Sequence, residues 1–146
     1  MCRRKRLEYR AFWGEIIMEL EAIQAFKMLN NLKNKGFITL LSLMAEDLSP
    51  IETDISGGEN FRLTYTLYNP VLKEFKEIQT IVNAEMRSVS TLFKSAKYDE
   101  MEIYDLFGIK FKNHPKLDRI FLDKNFVGHP LRNNYKMPET QTKKGY

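Results

Sequence analysis

The last quarter of the chain restricts the fold more than any other stretch. Residues 109 to 146 hold three prolines, two glycines and two histidines, with neither helical nor strand periodicity. They still carry Ile109, Phe111, Leu117, Ile120, Phe121, Leu122, Phe126 and Leu131, whose side chains must leave water. Irregular stretches of this length are uncommon in compact domains unless they have a function. Such a segment cannot pack on itself. Some of it can fold back on the preceding sheet, and the rest is expected to lie extended on another protein. Residues 113 to 146 are therefore assigned as a partner-wrapping tail.

The preceding residues have the content of one α+β domain, expected over residues 15 to 112 after a basic extension at residues 1 to 14. Ile16, Leu20, Ile23, Phe26 and Leu29 recur at helical spacing and predict an amphipathic helix from Glu15 to Lys35, closed by Gly36. The nearly continuous apolar run Phe37 to Ala45 predicts a buried central strand. Residues 46 to 60, with Ser49-Pro50 and Gly57-Gly58, form a surface connection. Phe61 to Tyr68 alternates apolar and polar residues as a half-buried strand does. Asn69-Pro70 turns the chain, and Phe75 to Val82 returns as a second strand. Ser88 or Ser90 can cap a helix whose stripe is Leu92, Ala96, Ile103 and Phe107, with room for a break near Ser95 and with Gly108 as its end. The expected fold is a small antiparallel or mixed sheet with flanking helices and a long extended tail.

Composition removes several classes of function. Cys2 is the single cysteine, so this chain alone supplies neither a disulfide nor a cysteine-ligated zinc or iron-sulfur site. No run approaches the roughly 20 apolar residues that span a bilayer, and Glu15 and Glu19 interrupt any signal-peptide core. A peripheral protein on the cytoplasmic side is expected. The net charge of +4 is concentrated in Arg3, Arg4, Lys5, Arg6 and Arg10. A nucleic-acid or membrane-surface module is the alternative that this cluster raises, although no base-stacking aromatic platform follows it.

The densest chemistry is the run Tyr98 to Gly108, with Asp99, Glu100, Glu102 and Asp105 on one helical stretch. At 100° per residue these carboxylates do not converge as an acid and base pair would, and no nucleophile or phosphate loop stands nearby. Acidic groups so placed commonly receive arginines, for which Arg119 and Arg132 are available. His114-Pro115 and His129-Pro130 recur fifteen residues apart, a spacing that fits no common metal site. Each histidine is expected to fix a turn by hydrogen bonding.

Taken together, Glu100-Met101-Glu102-Ile103-Tyr104-Asp105-Leu106-Phe107-Gly108-Ile109, then His114-Pro115-Lys116-Leu117, then Asp123 and Gly128-His129-Pro130-Leu131-Arg132 resemble the signature of the 30 kDa subunit family of respiratory complex I, the NADH-quinone oxidoreductase. The resemblance is specific over roughly residues 96 to 132 and matches in outline elsewhere. It implies a cofactor-free, non-catalytic hydrophilic-arm subunit that scaffolds a large quinone-site subunit and iron-sulfur subunits of an NADH-quinone oxidoreductase-like complex. Iron-sulfur clusters, and quinone or a nickel-iron centre, would belong to those partners. The related short subunits of membrane-bound, energy-converting [NiFe] hydrogenases are the alternative within the same resemblance. By the same resemblance Glu100, Glu102, Tyr104, Asp105, Phe107, Gly108, His114, Pro115, Arg119, Gly128, His129, Pro130, Leu131 and Arg132 are placed at partner contacts, and no residue is assigned a catalytic, cofactor-binding or metal role. Three departures stand out: Met101 where an arginine is usual, Asn113 for a glycine, and Asn133-Asn134-Tyr135-Lys136 for a Lys-Asp-Phe-Pro ending.

Overall fold

A computed structural model describes residues 9–12, 15–49 and 59–137, with side chains from residue 20 onward. The elements in chain order are β1 (Tyr9–Phe12), β2 (Glu15–Glu21), α1 (Ala22–Asn34), β3 (Thr39–Asp47), β4 (Phe61–Asn69), β5 (Glu74–Val82), β6 (Glu85–Arg87), α2 (Ala96–Phe107) and β7 (Lys110–Lys112). Five strands form one mixed sheet in the order β1-β2-β5-β4-β3, and β6 pairs in parallel with β7 in a separate ribbon. The expected α+β class and the β3-β4-β5 meander are both present.

The alternation in β4 sets the core. Phe61, Leu63, Tyr65 and Leu67 are buried, and across the ladder Tyr65 faces Ile78 and Leu63 faces Thr80. Ala25, Leu29 and Leu32 of α1 and Ala96 and Ile103 of α2 complete the same cluster, with α1 packed on β5 and β2 and α2 on β3. Among the described residues no helix covers the other face of the sheet, where Met44, Phe75 and Ile81 are exposed.

Two expectations need correction. The predicted helix from Glu15 to Lys35 is a strand followed by a helix, because β2 pairs in parallel with β5 from Ile17 opposite Glu77 to Glu21 opposite Ile81. Ile16 and Leu20 are four residues apart, which suits a helix face, but four is also an even number and suits strand alternation equally well. The predicted central strand is the edge strand β3. It is apolar on both faces, yet only Leu40 and Leu43 are buried, while Leu41 and Met44 are exposed.

Gly36 closes α1 as expected, through a paired motif in which Phe37 N–H donates to Leu32 O and Gly36 N–H to Lys33 O, both at 3.0 Å. Its φ of 98° favours glycine, and a Cβ there would lie 2.9 Å from Asn69 Nδ2. Asn69 organises the β4–β5 turn, its Oδ1 accepting the N–H groups of Val71 and Leu72 at 3.0 and 3.1 Å. The helix end and the hairpin turn are thus one packed unit. Replacing Gly36 by Ala is expected to cost more than about 1 kcal/mol, read as a lower urea midpoint with an unchanged slope; an unchanged midpoint would contradict this account of the turn.

Candidate interaction site at the end of the second helix

The last turn of α2 exposes carbonyl groups that the helix cannot satisfy itself. Residues of the tail satisfy them in sequence order. His129 Nδ1 donates to Asp105 O at 2.9 Å, Leu131 N–H to Leu106 O at 3.0 Å, and Arg132 Nε to Phe107 O. Gly108 continues from the helix at φ 75°, and a Cβ on it would lie 2.5 Å from the His129 ring and 2.8 Å from the Arg132 guanidinium. Glycine here is required both by the backbone and by the space the tail occupies.

Asp105 holds the same clasp from within. Its side chain is fully buried. One oxygen receives the Arg119 guanidinium at 2.9 Å, and the other receives three consecutive backbone N–H groups, from Ile120, Phe121 and Leu122, at 3.1, 2.8 and 3.0 Å. Arg119 also donates to Gly128 O at 2.9 Å, which ties the start of the loop to its return. Burial pushes the Asp105 carboxyl upward, but the N–H groups of Leu122, Phe121 and Ile120 and the Arg119 guanidinium outweigh it and hold the pKa below the usual 3.8. The clasp is therefore complete above the ordinary aspartate range and weakens only as the pH falls below it. Arg132 reaches further, pairing with Glu59 and lying 5.4 Å over the Phe61 ring. Asn133 binds Asp47 Oδ2 through its N–H, and Asp47 O and Ser49 O through its amide.

Glu100 is the second buried carboxylate of α2. It accepts the Ser88 hydroxyl at 2.6 Å and the Val89 N–H at 2.7 Å. His114 Nε2 lies 3.9 Å from it and 2.9 Å from Lys97 O, while His114 Nδ1 accepts the Lys116 N–H at 3.1 Å, which assigns the ring proton to Nε2. Burial raises the Glu100 pKa from 4.5 to about 7, against the lowering effect of Ser88 and Val89 and with Asp99 adding to the rise. Ser88 thus serves Glu100, Ser90 bonds the Ser88 hydroxyl, and neither caps the helix. Ser95 precedes α2 without a side-chain cap, consistent with a break at that point.

The residues expected at partner contacts fall into two groups. Glu100, Asp105 and Gly108 are buried, and the His114 side chain is enclosed as well. The side chains of Glu100, Asp105 and His114 make their hydrogen bonds inside the chain. Glu102, Pro115 and Leu131 are exposed, whereas Tyr104, Phe107, Arg119, Gly128, His129, Pro130 and Arg132 are half-buried. Over residues 113–137, Arg119, His129 and Arg132 and the N–H groups of residues 120–122 clasp α2, while Phe121, Val127 and Leu131 remain 64%, 74% and 50% exposed. Residues 138–146 of the expected tail lie outside the described residues. Two of the departures have structural roles. Asn113 stands at φ 64°, a left-handed position that asparagine tolerates, and Tyr135 stacks on Phe126 at 6.2 Å. Met101 is buried where a charge would need a partner. The backbone donors at residues 120–122 and the anchoring role of Asn133 escaped the sequence reading. No metal-binding cluster of histidine, cysteine and carboxylate side chains occurs among the described residues.

Residues 18–141 match the family model for the 30 kDa subunit of the respiratory-chain NADH dehydrogenase, a span that includes the whole clasp. This chain belongs to that family. It is 33% identical to NADH-ubiquinone oxidoreductase subunit 9 of Reclinomonas americana, covering 84% of this chain and 59% of the relative. It is 29% identical to the corresponding NADH-quinone oxidoreductase subunit of Geobacter sulfurreducens, covering 95% of this chain and 86% of the relative. A chain in the structure of a membrane-bound sulfane sulfur reductase, an archaeal respiratory membrane complex, superposes with a TM-score of 0.73 at 21% identity, covering 94% of this chain and 81% of that one. That likeness establishes a shared fold. The family signature seen in the sequence is therefore, in this member, largely the clasp itself.

Two measurements test this geometry. Asp105→Asn leaves the half-buried Arg119 beside a neutral amide and is expected to cost about 3 kcal/mol of stability, read by chemical denaturation; a loss near zero would mean that the clasp is not formed. For Glu100, a folded pKa above the unfolded one means that its contribution is complete below pH 4.5 and is lost as the pH rises through about 7. The full shift corresponds to roughly 3 kcal/mol. Stability should fall between pH 5 and pH 8 in the native chain, and that slope should flatten in Glu100→Gln. Equal slopes in the two proteins would contradict the assignment.

Proposed function

We propose that this chain is a non-catalytic hydrophilic-arm subunit of a membrane-bound complex of the NADH-quinone oxidoreductase type. It binds no cofactor of its own, and it holds the large quinone-site subunit against the iron-sulfur subunits at the cytoplasmic face of the membrane. Family membership supports the assembly, and the clasp supports the mode of action. The Arg119 guanidinium and the N–H groups of Ile120, Phe121 and Leu122 bind Asp105, and the segment so fixed leaves Phe121, Val127 and Leu131 exposed. Exposed apolar side chains clustered on one ordered segment mark a protein contact. Among the described residues no helix is long and apolar enough to cross a membrane, so attachment through partners fits. The reacting centres, iron-sulfur clusters with a quinone, would lie in those partners.

The equivalent place in a membrane-bound energy-converting [NiFe] hydrogenase is the second reading. It rests on the sequence resemblance alone, since the 21%-identical likeness to a chain of the archaeal respiratory membrane complex concerns the fold. The third class of reading, a basic nucleic-acid or membrane-surface module, rests on residues 3–6, which lie outside the described residues, and on Arg10, which is in β1.

Purification of the tagged chain from gently solubilised membranes, with mass spectrometry and metal analysis, is the test. Recovery of iron-sulfur proteins and a large subunit is expected, and stoichiometric nickel would select the hydrogenase reading. The double variant Phe121→Ser, Leu131→Ser should lower that recovery about tenfold or more, while its own urea midpoint stays close to that of the native chain. Undiminished recovery would show that the apolar side chains of the tail are not the contact, and a chain isolated alone would overturn the proposal.

A further inference from the structure

A groove of about 290 Å³ lies between α1 and the β6–β7 ribbon, and it shares no residue with the clasp. Phe26 and Met86 form its apolar floor, and Ile23 stands at its edge, 73% exposed. Lys27, Arg87 and Lys112 also line it, with Glu85 as the one acidic member. Glu85 is already paired with Lys112 at 2.7 Å, so the charge left over belongs to Lys27 and Arg87. Neither of these pairs with a carboxylate among the described residues. Arg87 lies over the Phe26 ring at 4.1 Å. Stacking of this kind orients the guanidinium and leaves its edge N–H groups available for two-pronged binding of a carboxylate.

We infer that this groove is a second docking site of the protein, taking an acidic segment of a partner protein that places one large apolar side chain beside Ile23 and one carboxylate on Arg87. This inference rests on the reading of the chain as a subunit of a larger assembly. Charge complementarity selects an acidic partner. Size selects a single anchoring side chain over a whole ligand, since the groove lies at the bottom of the roughly 300 to 1,000 Å³ range of small-molecule sites. An apolar anchor ringed by polar and charged contacts is also the usual arrangement at the centre of a protein interface.

The site is tested in the source cells with the full chain carrying photoreactive p-benzoylphenylalanine in place of Ile23, followed by sequencing of whatever peptide is crosslinked. The expected product is a protein segment of net negative charge with a large apolar residue at the point of attachment. The double change Lys27→Glu, Arg87→Glu should reduce its yield about tenfold or more, as removal of charge complementarity does elsewhere. Circular dichroism confirms that the variant folds. An acidic segment from a co-purifying iron-sulfur or large subunit supports both this inference and the proposed function. An acidic segment from a protein outside any such complex supports the docking site and overturns the proposed function. A neutral or basic segment, a lipid adduct, no adduct, or a yield that ignores the charge reversal overturns the docking site whichever assembly the chain joins.

Discussion

The Asp105 carboxylate is the interaction on which the irregular last quarter of this chain depends. An isolated buried carboxylate is strongly disfavoured, and only a full set of donors makes it tolerable. Here the donors are the Arg119 guanidinium and three successive N–H groups of Ile120, Phe121 and Leu122. The tail therefore has one place to go. Once residues 119–122 are bound, Gly128 O is fixed by Arg119, and the next residues fall over the carbonyl end of α2. A segment with no periodicity of its own becomes ordered because it satisfies the orphan groups of a helix that has periodicity.

The two buried carboxylates of α2 show how environment divides identical chemistry. Asp105 has more donors than its burial requires, and so it stays ionised. Glu100 has the Ser88 hydroxyl and the Val89 N–H but no neighbouring guanidinium, and burial prevails. Tyr65 and Asp99 also face Glu100, and neither offers a positive charge. The first carboxylate ties the tail to the helix by charge, whereas the second joins the segment after β6 to the helix by hydrogen bonds that a neutral acid can sustain. Substituting one for the other in either place would leave the wrong number of donors.

Much of the fold was legible because its signals are local. The alternation of Phe61, Leu63, Tyr65 and Leu67, the Asn69-Pro70 turn and the closing glycines Gly36 and Gly108 each require one conformation of their own residues. The strand Glu15–Glu21 was not legible, because its pairing with β5 joins residues 60 positions apart, such as Ile17 and Glu77. The edge position of β3 was hidden for a related reason: an apolar run states that burial is available but not how many neighbours exist to supply it. At the site, the identity of the important side chains was readable and their direction was not. Asp105, Arg119, His129 and Arg132 were all singled out, yet they face inward, and the backbone donors that hold Asp105 carry no side-chain signature at all.

Over residues 113–137 the tail is held in place by groups of its own chain, those at the end of α2 first among them. Amide hydrogen exchange on the isolated full chain tests this most directly. The N–H groups of Ile120, Phe121 and Leu122 should exchange as slowly as those in the middle of α2, because both are released by the same opening. Exchange at the rate of an unstructured peptide at these three positions, with α2 still protected, would show that the clasp forms only on a partner and would contradict the account.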